Sequence, residues 1–199
     1  WGILFVLLIS APSQSADIYL QIQRGEKATI GLPTFITKSA AESDQTITRK
    51  MHELAKSDIL FSRLFNIMED GPLVDTPRID FPGWEKAGTD VLVTANVSVK
   101  SENTLHMVAS LYEIPSGNPV FQKIYRGSKN SWRSMTHEFV ADILFRFTGR
   151  RGVSESKIVF SNNATGSKEL YTVDFDGDNL KRITADKSIS MLPRWSPDG

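Results

Sequence analysis

The stretch DVLVTANVSVK, residues 90–100, carries the clearest strand pattern of this chain. Every second residue in it is apolar, which is the period of a β-strand with one buried face. The side chains that share this face are those of Val91, Val93, Ala95, Val97 and Val99. The pattern therefore predicts a central strand that turns one side toward a hydrophobic core.

Two further strands are predicted directly after this one. A polar turn, KSENT, leads to residues 105–112, in which every second side chain is again apolar. The turn IPSGNP then leads to a third strand, VFQKIYR, at residues 120–126. Consecutive strands joined by short polar turns are typical of an antiparallel meander.

Helical periodicity lies on both sides of the meander. In AESDQTITRKMHELAKS, residues 41–57, apolar side chains recur at the spacing of a helix. A second long helix is predicted from Trp132, with Ser131 as its N-cap and Gly149 as its stop. Its apolar stripe consists of Trp132, Met135, Phe139, Ile143 and Phe147.

The remaining segments complete an α/β unit. ATIGLPTFI at residues 28–36 and RLFNIM at residues 63–68 are typical of strands, and FPGWEKAGTD at residues 81–90 indicates a short helix. We therefore expect an α/β domain at residues 28–149, with a mixed sheet and packed helices. The polar stretch GRRGVSES then predicts a linker at residues 150–156.

Beyond the linker the pattern indicates β-structure alone. KIVFSNN, KELYTVDFDG and NLKRITAD are three short strand candidates about ten residues apart, with turn residues between them. Residues 157–199 have the length of one blade of a β-propeller. The predicted fold class is thus an α/β domain followed by the start of an all-β propeller.

The charge balance and residue types exclude several functions. Lys and Arg together number 23, as do Asp and Glu, so no basic field favours nucleic acid. The local basic residues Lys123, Arg126, Lys129 and Arg133 are interpreted as a solvated surface. The absence of cysteine excludes disulfides, thiol catalysis and thiolate zinc sites.

The first residues predict export. WGILFVLLIS is an apolar run too short to span a membrane, and APSQSAD after it offers small residues for cleavage. We expect a signal peptide at residues 1–16, clipped at its start, with cleavage after Ala16 or alternatively after Ser15. The other interpretation is a buried N-terminal strand. Removal of the signal would leave an exported protein without membrane insertion.

The segment DIYLQIQRGEK, residues 17–27, alternates apolar and polar side chains with period two. Its shortness and its position predict either an edge strand of the first domain or a mobile strand-like tail.

None of the residues forms a recognisable catalytic, cofactor or metal site. His137 and Glu138 in THEFVA begin a zinc-helix motif, but Ala141 stands where the second His is needed. We expect His137 on a polar helix face, and His52 and His106 at the surface or half-buried. In DFDGDN, residues 174–179, a tight hairpin turn is favoured over a cation site because the calcium-loop spacing is absent.

Taken together, the motifs GTDVLVTANV, FTGRRGVSESKIVFSNN, ELYTVDFDGDNLKRIT and PRWSPDG resemble the TolB family of the Tol-Pal system. The likeness covers essentially the whole chain and is strongest in DFDGDNLKRIT and WSPDG, which are similar to the repeat signature of TolB-type propeller blades. The blade-motif residues, interpreted as structural, are Asp174, Asp176, Gly177, Trp195, Ser196, Pro197, Asp198 and Gly199.

The resemblance implies a non-enzymatic periplasmic adaptor, without cofactor, that supports outer-membrane integrity and invagination during cell division. It implies a TolA-like inner-membrane partner at the N-terminal segment and a Pal-like lipoprotein at the propeller. By position, the TolA-like contact falls on Asp17, Ile18, Tyr19, Leu20, Gln21, Ile22, Gln23 and Arg24. The alternative is the propeller portion of an exported hydrolase, which would require a G-x-S-x-G motif beyond Gly199.

Overall fold

The structure is a computed structural model that describes residues 27–74, 78–101 and 103–196. The predicted signal peptide and nearly all of the predicted strand-like segment at 17–27 lie outside these residues.

The central sheet is mixed, as the sequence predicts. It is built from β1 (Ala28–Gly31), β2 (Ile36–Thr37), β3 (Phe65–Met68), β4 (Val91–Ser101), β5 (Thr104–Glu113) and β6 (Pro119–Ser128). The strand order is β3-β1-β4-β5-β6, and β2 pairs with β4 beyond the end of β1. β1 is parallel to β3 and β4, whereas β4, β5 and β6 form the predicted antiparallel meander.

Two long helices cover one face of the sheet. These are α1 (Glu42–Phe61) and α3 (Trp132–Thr148), and α3 follows a short 3-10 turn at Lys129–Ser131. The odd-numbered apolar residues of β4 pack against both helices together with Met51 of α1 and Phe139 of α3. Burial of this face is the main stabilising contribution of the domain.

A smaller apolar cluster lies on the opposite face, at one end of the sheet. Trp84 of α2 (Phe81–Lys86) is fully buried there against Leu92 and Ile114. Leu92 belongs to this cluster because successive strand residues point to opposite faces. Gly71 also lies against the Trp84 ring, since a Cβ atom at this position would overlap it.

A separate antiparallel sheet follows the linker. Its strands are β7 (Lys157–Asn162), β8 (Glu169–Asp174) and β9 (Lys181–Arg182). The three predicted strands are therefore present, although β9 is only two residues long. Large apolar side chains on this sheet and after it are exposed: Ile158, Leu180, Ile183, Ile189, Met191, Leu192 and Trp195.

The structure corrects two local predictions. Ser131 makes no side-chain cap to α3, because the 3-10 turn precedes the helix and the Ser131 hydroxyl pairs with Ser128 Oγ at 2.9 Å. His52, expected at the surface or half-buried, is only 4% exposed, because it packs edge-on against Phe35. Gly149 does end α3 in the left-handed conformation, at φ 71°.

Candidate functional site at the junction of the two sheets

The turn after β8 joins the small sheet to the helices of the α/β domain. The amide of Gly177 donates to the Asp174 carbonyl at 2.9 Å, and the amide of Asp174 donates to the Asp178 carbonyl at 2.8 Å. Gly177 has a φ of 88° and Asn179 a φ of 54°, so both occupy the left-handed region that Gly and Asn tolerate best. The predicted hairpin turn in DFDGDN is thus confirmed.

The carboxylates of this turn are neutralised by protein side chains. Asp174 pairs with Lys157 and accepts a 2.6 Å hydrogen bond from Asn179. Burial alone would raise the pKa of Asp174, but these two contacts outweigh it and hold the pKa below its ordinary value. Arg133 of α3 pairs with Asp176 and, through Nε at 2.6 Å, with Asp178.

All three carboxylates of this turn are paired with Lys or Arg side chains, so the turn is an ion-pair site. Within residues 27–74, 78–101 and 103–196 no cluster of three or more His, Asp and Glu is arranged to hold a metal. The expected solvated surface is also wrong for Arg133, whose side chain is 24% exposed and bridges two carboxylates.

His137 lies at the centre of the junction, between two carboxylates. Its Nδ1 is 2.7 Å from Asp58 Oδ2 on α1, and its Nε2 is 3.3 Å from Asp176 Oδ2 in the turn after β8. The side chains of Asp58 and His137 are 1% and 6% exposed. His137 therefore does not lie on a polar helix face as expected; it links α1, α3 and the turn after β8.

Aromatic rings complete the junction. Phe175, within the same turn, packs edge-on against Phe61 at 5.2 Å and against the His137 ring at 5.7 Å between centroids. Edge-to-face packing of this kind contributes about 0.5–1.5 kcal/mol beyond the buried area. The turn thus contacts the helices through both an apolar ring and paired charges.

Two cavities flank this contact. One, of about 320 Å³, is mostly apolar and lies between the ends of α1 and α3, lined by Phe61, Leu144, Val153 and Phe175. The other, of about 340 Å³, is polar and is lined by Arg133, His137, Glu155, Lys157 and Asp174. The turn after β8 therefore borders both cavities, through Phe175 on one side and Asp174 on the other.

A second ion-pair cluster fixes the start of the linker. Asp142 of α3 accepts hydrogen bonds from Lys123 Nζ at 2.7 Å, the Tyr125 hydroxyl at 2.7 Å and Arg151 Nη1 at 2.8 Å. Burial would raise the pKa of Asp142, but these donors hold it below its ordinary value. Burial, reinforced by Asp142, raises the pKa of Tyr125, so its hydroxyl stays a donor.

The predicted site residues are only partly brought together. Asp174, Asp176 and Gly177 form the junction turn, whereas Trp195 and Ser196 lie in the exposed segment after β9. Pro197, Asp198 and Gly199 lie outside the described residues, as does the whole segment Asp17–Arg24.

Sequence reasoning missed Asp58, His137, Arg133 and Phe175 as members of one site. One signal was available, namely an aromatic residue at position 175 inside an acidic turn, where side chains are usually polar. The pairing of Asp58 with His137 had no such signal, since 79 residues separate them.

Among the residues that the structure describes, no helix is both long enough and apolar enough to cross a bilayer.

Sequence relatives of the chain are Tol-Pal system proteins. The family described as the TolB amino-terminal domain matches residues 18–120. The Tol-Pal system protein TolB of Desulfosudis oleivorans is 30% identical over an alignment of 181 positions, which covers 87% of this chain and 41% of the relative. The corresponding protein of Geobacter sulfurreducens is 28% identical over 205 residues, covering 100% of this chain and 47% of the relative. The chain thus spans less than half the length of these curated relatives.

A solved structure shows the same fold. The crystal structure of TolB from Acinetobacter baumannii matches with a TM-score of 0.66 at 17% identity, over 81% of this chain and 39% of that one. This match confirms the predicted fold class. The names of these sequence relatives describe a component of the Tol-Pal system. Since the family match covers more than half of the residues, the chain belongs to the TolB amino-terminal domain family.

Proposed function

We propose that this chain is part of a non-enzymatic periplasmic adaptor of the Tol-Pal system, which links inner-membrane Tol proteins to a Pal-like outer-membrane lipoprotein. In this role it supports outer-membrane integrity and invagination during cell division. The observation that carries the proposal is the match to relatives named Tol-Pal system protein TolB over nearly the whole chain.

The proposed organisation follows the sequence. A signal peptide occupies residues 1–16, a strand-like segment 17–27, the α/β domain 28–149, a linker 150–156 and a first propeller blade 157–199. The exposed apolar side chains of the small sheet support the last assignment, because a neighbouring blade would remove them from water. Periplasmic location is supported by the signal-like apolar run at residues 1–10.

The TolA-like contact is assigned to residues 17–24. Ile18, Leu20 and Ile22 fall on one side of this segment if it is extended, so they can anchor a strand added to the sheet of a partner. In such pairing the main chain contributes affinity and the alternate side chains contribute specificity. The Pal-like contact is assigned to the propeller as a whole.

Deletion of residues 17–24 from the full-length protein tests the first contact. We expect loss of binding to the periplasmic part of the TolA-like partner, measured by isothermal titration calorimetry. Binding to the Pal-like lipoprotein and the far-ultraviolet circular dichroism spectrum should persist, since the deletion leaves the described fold intact.

A matched substitution separates side-chain anchoring from simple shortening of the chain. Ile18→Ser with Leu20→Ser should weaken the TolA-like contact, whereas Tyr19→Ser with Gln21→Ser, on the other side of the strand, should change it far less. Equal binding by the deletion variant and the wild type would refute the assignment of this segment.

A further inference from the structure

The junction contains a histidine whose protonation state changes the number of charged contacts that it can make. A neutral imidazole carries one N–H, so it can donate to one carboxylate only, whereas an imidazolium donates from both nitrogens. His137 faces a carboxylate at each nitrogen, Asp58 at 2.7 Å and Asp176 at 3.3 Å. The imidazolium therefore donates to both carboxylates, whereas the neutral ring that donates to Asp58 leaves its Nε2 lone pair facing the Asp176 carboxylate.

The two carboxylates belong to different parts of the chain. Asp58 lies on α1 of the α/β domain, and its side chain is 1% exposed. Asp176 lies in the turn after β8 of the small sheet, and its side chain is 14% exposed. The contact to Asp58 is short, while Nε2 of His137 is buried and makes no well-aligned hydrogen bond to any described residue. The contact that depends on the second proton is thus the one between α3 of the α/β domain and the turn after β8.

The surrounding charges determine how strongly the proton matters. Arg133, one helical turn before His137, also holds Asp176 and Asp178. Asp174, Lys157 and Glu155 line the adjacent polar cavity, and Asp174 is already paired with Lys157. Deprotonation of His137 therefore weakens the junction without abolishing it, since the Arg133 pairs and the ring of Phe175 remain.

We propose that His137 is a proton-sensitive latch between the α/β domain and the blade. When His137 is protonated it bridges Asp58 and Asp176 and holds the two parts in one orientation. When it is neutral the bridge to Asp176 is lost, and the two parts sample a wider range of orientations.

The test combines two measurements on the full chain. Because its 199 residues include no cysteine, Lys50→Cys on α1 and Lys181→Cys on β9 give two unique spin-label sites, both exposed. Double electron–electron resonance then reports the distribution of distances between the two parts. Nuclear magnetic resonance of the imidazole nitrogens follows the protonation of His137 separately from the other two histidines.

We expect the distance distribution to broaden as the pH rises, with a midpoint that coincides with the titration of His137. His137→Gln should lose this pH-dependent step. Asp176→Asn should reduce the step, whereas the matched control Asp178→Asn, which loses only a contact with Arg133, should retain it.

Three outcomes would overturn the proposal. They are a distribution that stays constant while His137 titrates, a step that persists in His137→Gln, and a step that Asp178→Asn removes as fully as Asp176→Asn. If His137→Gln fails to fold, the chain with His137 intact still tests the proposal. The pH dependence of the spin-label distances is then compared with that of the His137 nitrogen resonances, and this comparison requires no substitution in the junction.

Discussion

Replacement of Asp142 by Ala should destabilise the protein much more than replacement of Glu138, although both carboxylates bind the same Lys123 ammonium. The distances to Lys123 Nζ are 2.7 Å from Asp142 and 2.8 Å from Glu138. Only Asp142 also accepts from the Tyr125 hydroxyl and from Arg151. Each variant therefore loses one ion pair with Lys123, and only Asp142→Ala also loses the contacts with Tyr125 and Arg151.

The magnitude follows from the burial of each partner. Tyr125 is 2% exposed, and a buried hydroxyl left without its acceptor costs about 1–3 kcal/mol. The Lys123 and Arg151 side chains are 43% and 45% exposed, so each of their pairs with Asp142 contributes at most about 1 kcal/mol. We expect Asp142→Ala to lower the free energy of unfolding by about 2–4 kcal/mol and Glu138→Ala by less than about 1 kcal/mol.

Urea unfolding followed by circular dichroism at equilibrium measures both values. The pKa of Asp142 is lowered by folding, so its contribution is fully present above its ordinary pKa of 3.8 and is lost as the pH falls through the lower folded value. The difference between the wild type and Asp142→Ala should therefore be the same at about pH 7 and about pH 5. Equal destabilisation by the two variants, or a difference that disappears between these pH values, would refute the reasoning.

Two further predictions concern the packing around Trp84 and the hydrogen bonds of Glu169 in the small sheet. Gly71→Ala should lower the free energy of unfolding by about 1–3 kcal/mol in the same urea assay, because the new methyl group would overlap the buried Trp84 ring. Glu169→Gln should increase hydrogen exchange at the Lys187 amide, which donates to the Glu169 carboxylate at 2.9 Å. The hydrogen bond from Thr184 is the main cause that holds the pKa of Glu169 below its ordinary value of 4.5. The wild-type carboxylate therefore becomes protonated only below that pH, and the difference in exchange between the wild type and Glu169→Gln should diminish there. Unchanged unfolding in the first case, or unchanged exchange above that pH in the second, would contradict these expectations.

Most of the α/β architecture was predictable from local patterns. The alternation in residues 90–100 identified the buried face of β4, and the stripe at Met135 and Phe139 identified the buried face of α3. The order of the strands was not predictable in the same way, since β3 lies outside β1 although it follows it in the chain. Periodicity states which face of an element is buried, but it does not name the partner.

The candidate site was predicted only as separate pieces. The acidic turn was recognised at residues 174–179, and the helix carrying His137 was recognised from its apolar stripe. Their ion pairs were not predicted, because buried charges in either segment could be neutralised by many possible partners.

The α/β part and the short strands after it could be predicted from the amino-acid sequence, because the period of the apolar side chains is a local property. The sequence also carried the family resemblance, which resides in contiguous motifs. The meeting of Asp58, His137 and Asp176 at one junction is visible only in the three-dimensional structure. These residues lie on α1, on α3 and in the turn after β8. The packing of these elements, rather than their individual patterns, brings the side chains within hydrogen-bonding or ion-pair distance.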